Sequence, residues 1–124
     1  MALFPQLNGS IFNDPNFESA KIYWIDLGAK RWIVNEDTYH GVFGEFGAYN
    51  KQQEDLSQFD LGPNVESGAK LVRVGSDAKI YLISQNTARW IPTEEIKAKY
   101  NLGGNVHSVS AATFARYEAG PAFA

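Results

Sequence analysis

Hydrophobic and polar positions first fall into a strand-like order over residues 21–34, Lys-Ile-Tyr-Trp-Ile-Asp-Leu-Gly-Ala-Lys-Arg-Trp-Ile-Val. Ile22, Trp24 and Leu27 lie on one side of the pattern, Tyr23 and Ile25 on the other. β-Branched and aromatic residues dominate, as a pleated and half-buried surface favours. The stretch reads as a hairpin turning at Gly28-Ala29 and returning through Arg31-Trp32-Ile33-Val34. Asn35 then predicts a helix N-cap, with Glu36 and Asp37 in the first turn, where the helix dipole favours negative charge. Gly41, Gly44 and Gly47 end that helix early, and Asn50 with Gln53 resembles a capping box for a second helix carrying Leu56 and Phe59, stopped at Gly62-Pro63. Before the hairpin, residues 1–20 are rich in turn signals, with Ser10-Ile11-Phe12 as a short edge strand.

The pattern then recurs. Lys79-Ile-Tyr-Leu-Ile83 and Arg89-Trp-Ile91 restate Lys21-Ile-Tyr-Trp-Ile25 and Arg31-Trp-Ile33 at an offset of 58 residues (79 − 21), and Gly120-Pro121 follows Gly62-Pro63 at the same offset. A constant offset held from strand to terminal Gly-Pro is the signature of an internal repeat. The second copy predicts a strand at Lys70–Val74, a turn at Gly75-Ser76-Asp77, strands over 79–84 and 88–91 around Gln85-Asn86-Thr87, and an extended piece over 106–109. Thr93 caps a helix with Glu94 and Glu95 first, Lys97 and Lys99 later, and Ile96 and Tyr100 as its buried stripe; Ser110 caps a last helix with Ala111, Phe114 and Tyr117. The predicted fold class is α+β: two tandem repeats, 1–65 with a degraded first strand and 66–124, each an antiparallel meander or hairpin followed by two short helices, packed as one pseudo-twofold domain.

Length favours that packing, because either copy of this 124-residue chain alone would bury too small a fraction of its surface. A formal net charge of −3 excludes generic nucleic-acid affinity, which needs a concentrated positive field. Eighteen consecutive apolar residues occur nowhere, so no transmembrane segment is expected. The start, Met1-Ala-Leu-Phe-Pro-Gln6, has neither the basic nor the apolar region of a signal peptide. With no cysteine there are no disulfides and no thiolate metal ligands.

The succession Lys70-Leu-Val-Arg-Val74, Lys79-Ile-Tyr-Leu-Ile83 and Ala88-Arg-Trp-Ile-Pro-Thr93, then a helix, then Asn105-Val-His-Ser-Val-Ser110 and Phe114-x-x-Tyr117-x-x-Gly120-Pro121, resembles a repeat of many predicted bacterial surface and secreted proteins. Their pattern runs "lvk…d.kvYlv…g.krwip". The resemblance covers nearly the whole chain, with the first copy as a divergent version. It implies a non-enzymatic module at the cell surface or outside the cell, used for attachment, recognition or wall-associated scaffolding.

Catalytic chemistry finds little footing. His40 and His107 form no zinc motif, and the Gly41, Gly44, Gly47 series lacks the Lys-Ser/Thr of a phosphate loop. Asp14, Asn16 and Glu18 have alternate spacing suited to calcium, yet Ser19 and Ile25 stand where an EF-hand needs Gly and Glu. Glu36, Asp37, Glu94 and Glu95 are explained by their places at helix starts rather than as a glycosidase pair. No cofactor and no metal is expected, and the chain does not read as an enzyme.

Aromatic residues beside hydrogen-bonding groups suit sugar rings. Tyr23, Trp24, Arg31, Trp32, Tyr81, Asn86, Arg89 and Trp90 are therefore the candidate ligand-binding set. The competing reading places Trp32 and Trp90 in an inter-repeat core, with Arg31 and Arg89 snorkelling outward. Two functions follow: a lectin-type module whose partner is a carbohydrate or cell-surface polymer, or a structural module that self-assembles into a dimer or filament.

Overall fold

The computed structural model describes residues 8–13, 21–44 and 59–124. It is α+β, with two mixed sheets and three short helices. The first sheet contains β1 (Ile11–Asn13), β2 (Ile22–Asp26), β3 (Ala29–Trp32) and β4 (Asp60–Leu61), in that spatial order. Helix α1 (Glu36–Phe43) follows β3 in the chain. The second sheet comprises β5 (Lys70–Val74), β6 (Ile80–Ser84), β7 (Thr87–Ile91), β8 (Val106–Val109) and β9 (Glu118–Ala119), in the order β8-β5-β6-β7-β9. Helix α2 (Glu94–Lys99) follows β7, and the single turn α3 (Ala111–Phe114) follows β8.

Strands β1-β2-β3 of the first sheet and β5-β6-β7 of the second form antiparallel meanders, but the remaining pairings are parallel: β3 with β4, β5 with β8, and β7 with β9. The expectation of purely antiparallel meanders is corrected here. Strands β4 and β9 are two residues each, too short to show a period, so only their long-range pairing defines them. The last helix is likewise shorter than expected, because the chain after Phe114 turns into β9. The calcium-spaced residues 14–18 and residues 50–58 of the expected second helix lie outside the described residues, and the expected end of that helix is corrected: Phe59 is in a bend and Asp60–Leu61 pair with β3 as β4.

Both hairpins close through two-residue turns. Leu27 and Gly28 have φ of 53° and 74°, Gln85 and Asn86 of 53° and 62°, the positive φ pair that type I′ geometry demands. This places the first turn one residue earlier than the sequence pattern indicates, which lifts Leu27 out of the strand, and ends the second at Asn86, so that Thr87 begins β7. Leu27 is 60% exposed rather than on the buried side.

The three predicted caps that fall on described residues form as expected. Asn35 Oδ1 accepts from Thr38 N at 2.8 Å, Thr93 Oγ1 from Ile96 N at 3.1 Å, and Ser110 Oγ from Thr113 N at 3.1 Å. Each satisfies one of the orphan donors of a helix start.

One core unites the sheets. Ile11, Trp24, Ile33, Val42 and Phe43 pack with Leu71, Leu82, Ile91, Tyr100, Leu102 and Phe123 in a single buried cluster. Helix α1 lies against β5 of the other sheet. Trp24 is fully buried, and its indole N–H donates to the Tyr100 carbonyl at 3.2 Å. The opposite faces carry smaller clusters: Phe12, Tyr23, Ile25 and Phe59 on the first sheet, and Val72, Ile83 and Ala88 on the second. Backbones approach closely between α1 and the loop after α2, where a Cβ on Gly104 would collide with the Gly41 carbonyl. Among the described residues, no helix is long and apolar enough to cross a membrane.

Candidate functional site

Side chains alternate across a strand with period two, so neighbours in sequence face opposite ways. In the hairpins this separates the members of each Arg-Trp pair. Trp24 pairs across the strands with Arg31, and Leu82 with Arg89, on the face turned to the shared core. Tyr23 pairs with Trp32, and Tyr81 with Trp90, on the other face. The eight candidate residues thus divide between two surfaces and a turn, Asn86 standing exposed in the latter.

The burial pattern corrects the reading of the Arg-Trp pairs as core Trp with Arg turned outward. Arg31 and Arg89 are each 5% exposed and do not snorkel outward, while Trp90 is 40% exposed and Trp32 only half-buried. Trp24 and Tyr23 are buried and present no face to a ligand. Tyr81 is half-buried, its ring 4.6 Å from that of Phe114.

Two places remain. The inner one is a cavity of about 260 Å³ between the two hairpin turns. Its ten lining residues fall into five pairs at the sequence offset already noted: Asp26 and Ser84, Leu27 and Gln85, Ala29 and Thr87, Arg31 and Arg89, Pro63 and Pro121. Asp26, 3% exposed, joins the arginines: its Oδ2 accepts from Arg31 Nη1 at 2.9 Å and from Arg89 Nη1 at 2.5 Å. Matched backbone contacts orient both guanidiniums, Arg31 Nε donating to the Pro63 carbonyl and Arg89 Nε to the Pro121 carbonyl, each at 2.8 Å. Arg31 Nη2 also donates to Ser84 Oγ at 2.7 Å, and Ser84 Oγ in turn donates to Glu66 Oε1 at 2.6 Å. Burial pushes the Arg31 guanidinium below its ordinary value, and Asp26 opposes that shift by charge and hydrogen bond. Arg31 stacks over Trp24 and Arg89 over Phe123, the latter 3.9 Å from guanidinium carbon to ring centre.

The outer place is a cleft of about 260 Å³ where β7 runs into α2. Trp90, Lys79, Pro92, Thr93, Glu94 and Lys97 contribute to it, and Lys79 Nζ lies 5.5 Å from the Trp90 ring centre. Trp32 carries Lys21 in the same way at 4.6 Å. A second hollow of about 350 Å³ adjoins the cleft, sharing Glu94 and Lys97 and extending to Phe43 and Leu102. The cleft can stack a flat apolar face on indole while cationic, acidic and hydroxyl groups meet polar substituents.

Sequence reasoning missed Asp26, Ser84 and Glu66. The signal for Asp26 was available, since it is the acidic position of the first hairpin whose counterpart is a serine. Among the described residues no group of three or more His, Asp or Glu is placed to hold a metal ion. No family model matches the chain, and no curated protein or solved structure matches it.

Proposed function

We propose that the chain is a non-catalytic recognition module of two related halves, residues 1–65 and 66–124, packed about a pseudo-twofold axis, and that it binds carbohydrate-rich surfaces through the Trp90 cleft. The observation that carries the binding reading is Trp90 itself, which is 40% exposed although it sits in a strand with a buried residue on either side. Among the described residues it is the one Trp, Tyr or Phe left so open. A sugar ring lays its C–H face on such an indole, and Thr93, Glu94, Lys79 and Lys97 line the same cleft within reach of its hydroxyls. The half-and-half reading rests on the five lining pairs and on matched hydrogen bonds. Val65 N donates to the Trp32 carbonyl as Phe123 N does to Trp90, and Gly62 N to Lys30 as Gly120 N does to Ala88.

The non-catalytic reading follows from where the carboxylates stand. Asp26 is engaged by two guanidiniums, and Glu36, Asp37, Glu94 and Glu95 lie in first helical turns, where they complement the dipole. A cell-surface or extracellular setting follows from the resemblance of the repeat pattern.

Self-assembly is the second reading. Leu61, 68% exposed on β4 at the rim of the first sheet, favours it. A glycan array together with sedimentation velocity separates the two. Recognition predicts binding by a small species. Absence of glycan binding with a large oligomer supports assembly, and absence of both overturns both readings.

A further inference from the structure

We infer that the cavity between the hairpin turns is a second binding site, distinct from the Trp90 cleft, for a small carboxylate that carries a hydroxyl group. Its floor is built from buried charge. Two guanidiniums face one carboxylate among the lining residues, because Ser84 stands where the second hairpin would otherwise repeat Asp26. Glu66 adds a further negative charge nearby, but its oxygens accept from Ser84 Oγ and the Gln85 amide N–H, not from either guanidinium.

The two arginines are unequally satisfied. Arg31 directs Nε, Nη1 and Nη2 to Pro63, Asp26 and Ser84. Arg89 directs Nε to Pro121 and Nη1 to Asp26, and no acceptor to its Nη2 occurs among the described residues. This nitrogen is not among the fully buried unpartnered atoms, so its N–H groups face the open space of the cavity, and a ligand carboxylate is the acceptor that best matches their charge. Gln85 and Thr87 line the same cavity, and because Gln85 Nε2 donates to the Asn64 carbonyl and Thr87 Oγ1 to the Ser84 carbonyl, both side-chain oxygens remain acceptors that a ligand hydroxyl can serve. Glu66 balances the charge of the cluster as a whole, so the ligand carboxylate is held by short-range donation from Arg89 rather than by a net positive field.

The walls set the size and character of the rest of the ligand. Leu27, Ala29, Pro63 and Pro121 are apolar, and the exposed Leu27 and Gln85 stand at the mouth. A volume of about 260 Å³ is below the roughly 300–1,000 Å³ of drug-sized sites, which limits the ligand to a short acid or a single sugar acid.

Titration calorimetry of the full chain with lactate, glucuronate, propionate and lactamide tests the assignment. Lactate or glucuronate is expected to bind, and whichever binds more tightly identifies a free hydroxy acid or a sugar acid as the source. Propionate, lacking the hydroxyl, is expected to bind more weakly, and lactamide, lacking the charge, at least about tenfold more weakly. Leu27→Glu adds negative charge at an exposed turn position and is expected to weaken lactate or glucuronate by a similar factor without unfolding the protein. Trp90→Ala is expected to leave this binding unchanged, which keeps the result separate from any result on glycans. No binding of either hydroxy acid by the folded protein, equal binding of lactamide, or indifference to Leu27→Glu overturns the assignment.

Discussion

The two hairpins share a backbone and differ in what they contribute. Their turns have the same pair of positive φ values, their arginines make the same bond to a proline carbonyl, and both place Arg inward and Trp outward. The first supplies the largest buried side chain, Trp24, and the shared carboxylate, Asp26. The second supplies the smaller Leu82 and the neutral Ser84 at those positions, and leaves Trp90 open to solvent. Backbone hydrogen bonding is thus held in common, while the large buried groups are concentrated in one hairpin and the exposed aromatic surface in the other.

The comparison breaks most severely at Asp26. Asp26→Ala removes the one carboxylate hydrogen-bonded to both buried guanidiniums, and the expected loss is about 3–5 kcal/mol in chemical denaturation. Ser84→Ala removes only the equivalent hydroxyl, with an expected loss of about 1–3 kcal/mol. Equal losses at the two positions would contradict the asymmetry.

Packing gives the next contrast. Trp24→Ala is expected to cost about 3–5 kcal/mol, as for other large buried aromatics, because Phe43, Tyr100 and Phe123 surround the ring. Trp90→Ala, at a 40% exposed site, is expected to cost less than about 1.5 kcal/mol, since much of the ring already meets water. The unfolding midpoints of the two variants, measured side by side, check the difference.

Much of this arrangement was legible in the sequence. The caps at Asn35, Thr93 and Ser110 depend on local chemistry, and the hairpins on a local period, so both could be read from short windows. What escaped was non-local. Asp26 meets Arg89 across 63 positions, and no window contains both. Gly62-Pro63 and Gly120-Pro121 read as helix stops, yet the carbonyls of Pro63 and Pro121 are the acceptors for the two buried arginines. Taking the Trp of each Arg-Trp pair as core and the Arg as the snorkelling partner failed because carbonyls and one carboxylate supply acceptors to both buried guanidiniums. The eight candidate residues were grouped by composition, whereas strand alternation assigns them to opposite faces.

A smaller effect concerns alkaline pH. Burial, aided by the charge of Asp26, pushes the Tyr100 phenol above its ordinary value, and its hydroxyl donates to the Ala124 carbonyl at 3.1 Å. A pKa raised in the folded state means that folding favours the protonated phenol. That contribution is complete below about pH 10, the unfolded value, and is lost as pH rises through the folded value. Tyr100→Phe is therefore expected to flatten the decline of stability above about pH 10, measured by denaturation across pH 8–11.

The central claim is that Trp90 is exposed for binding rather than for packing. Titrating wild type and Trp90→Ala with the glycan selected on the array, and melting both proteins, tests it directly. The account predicts that Trp90→Ala loses at least about tenfold in affinity, as removal of a well-packed binding aromatic does, while its melting temperature falls by only a few degrees. Glycan affinity unchanged by the substitution, or a collapse of stability that accompanies its loss, would contradict the claim.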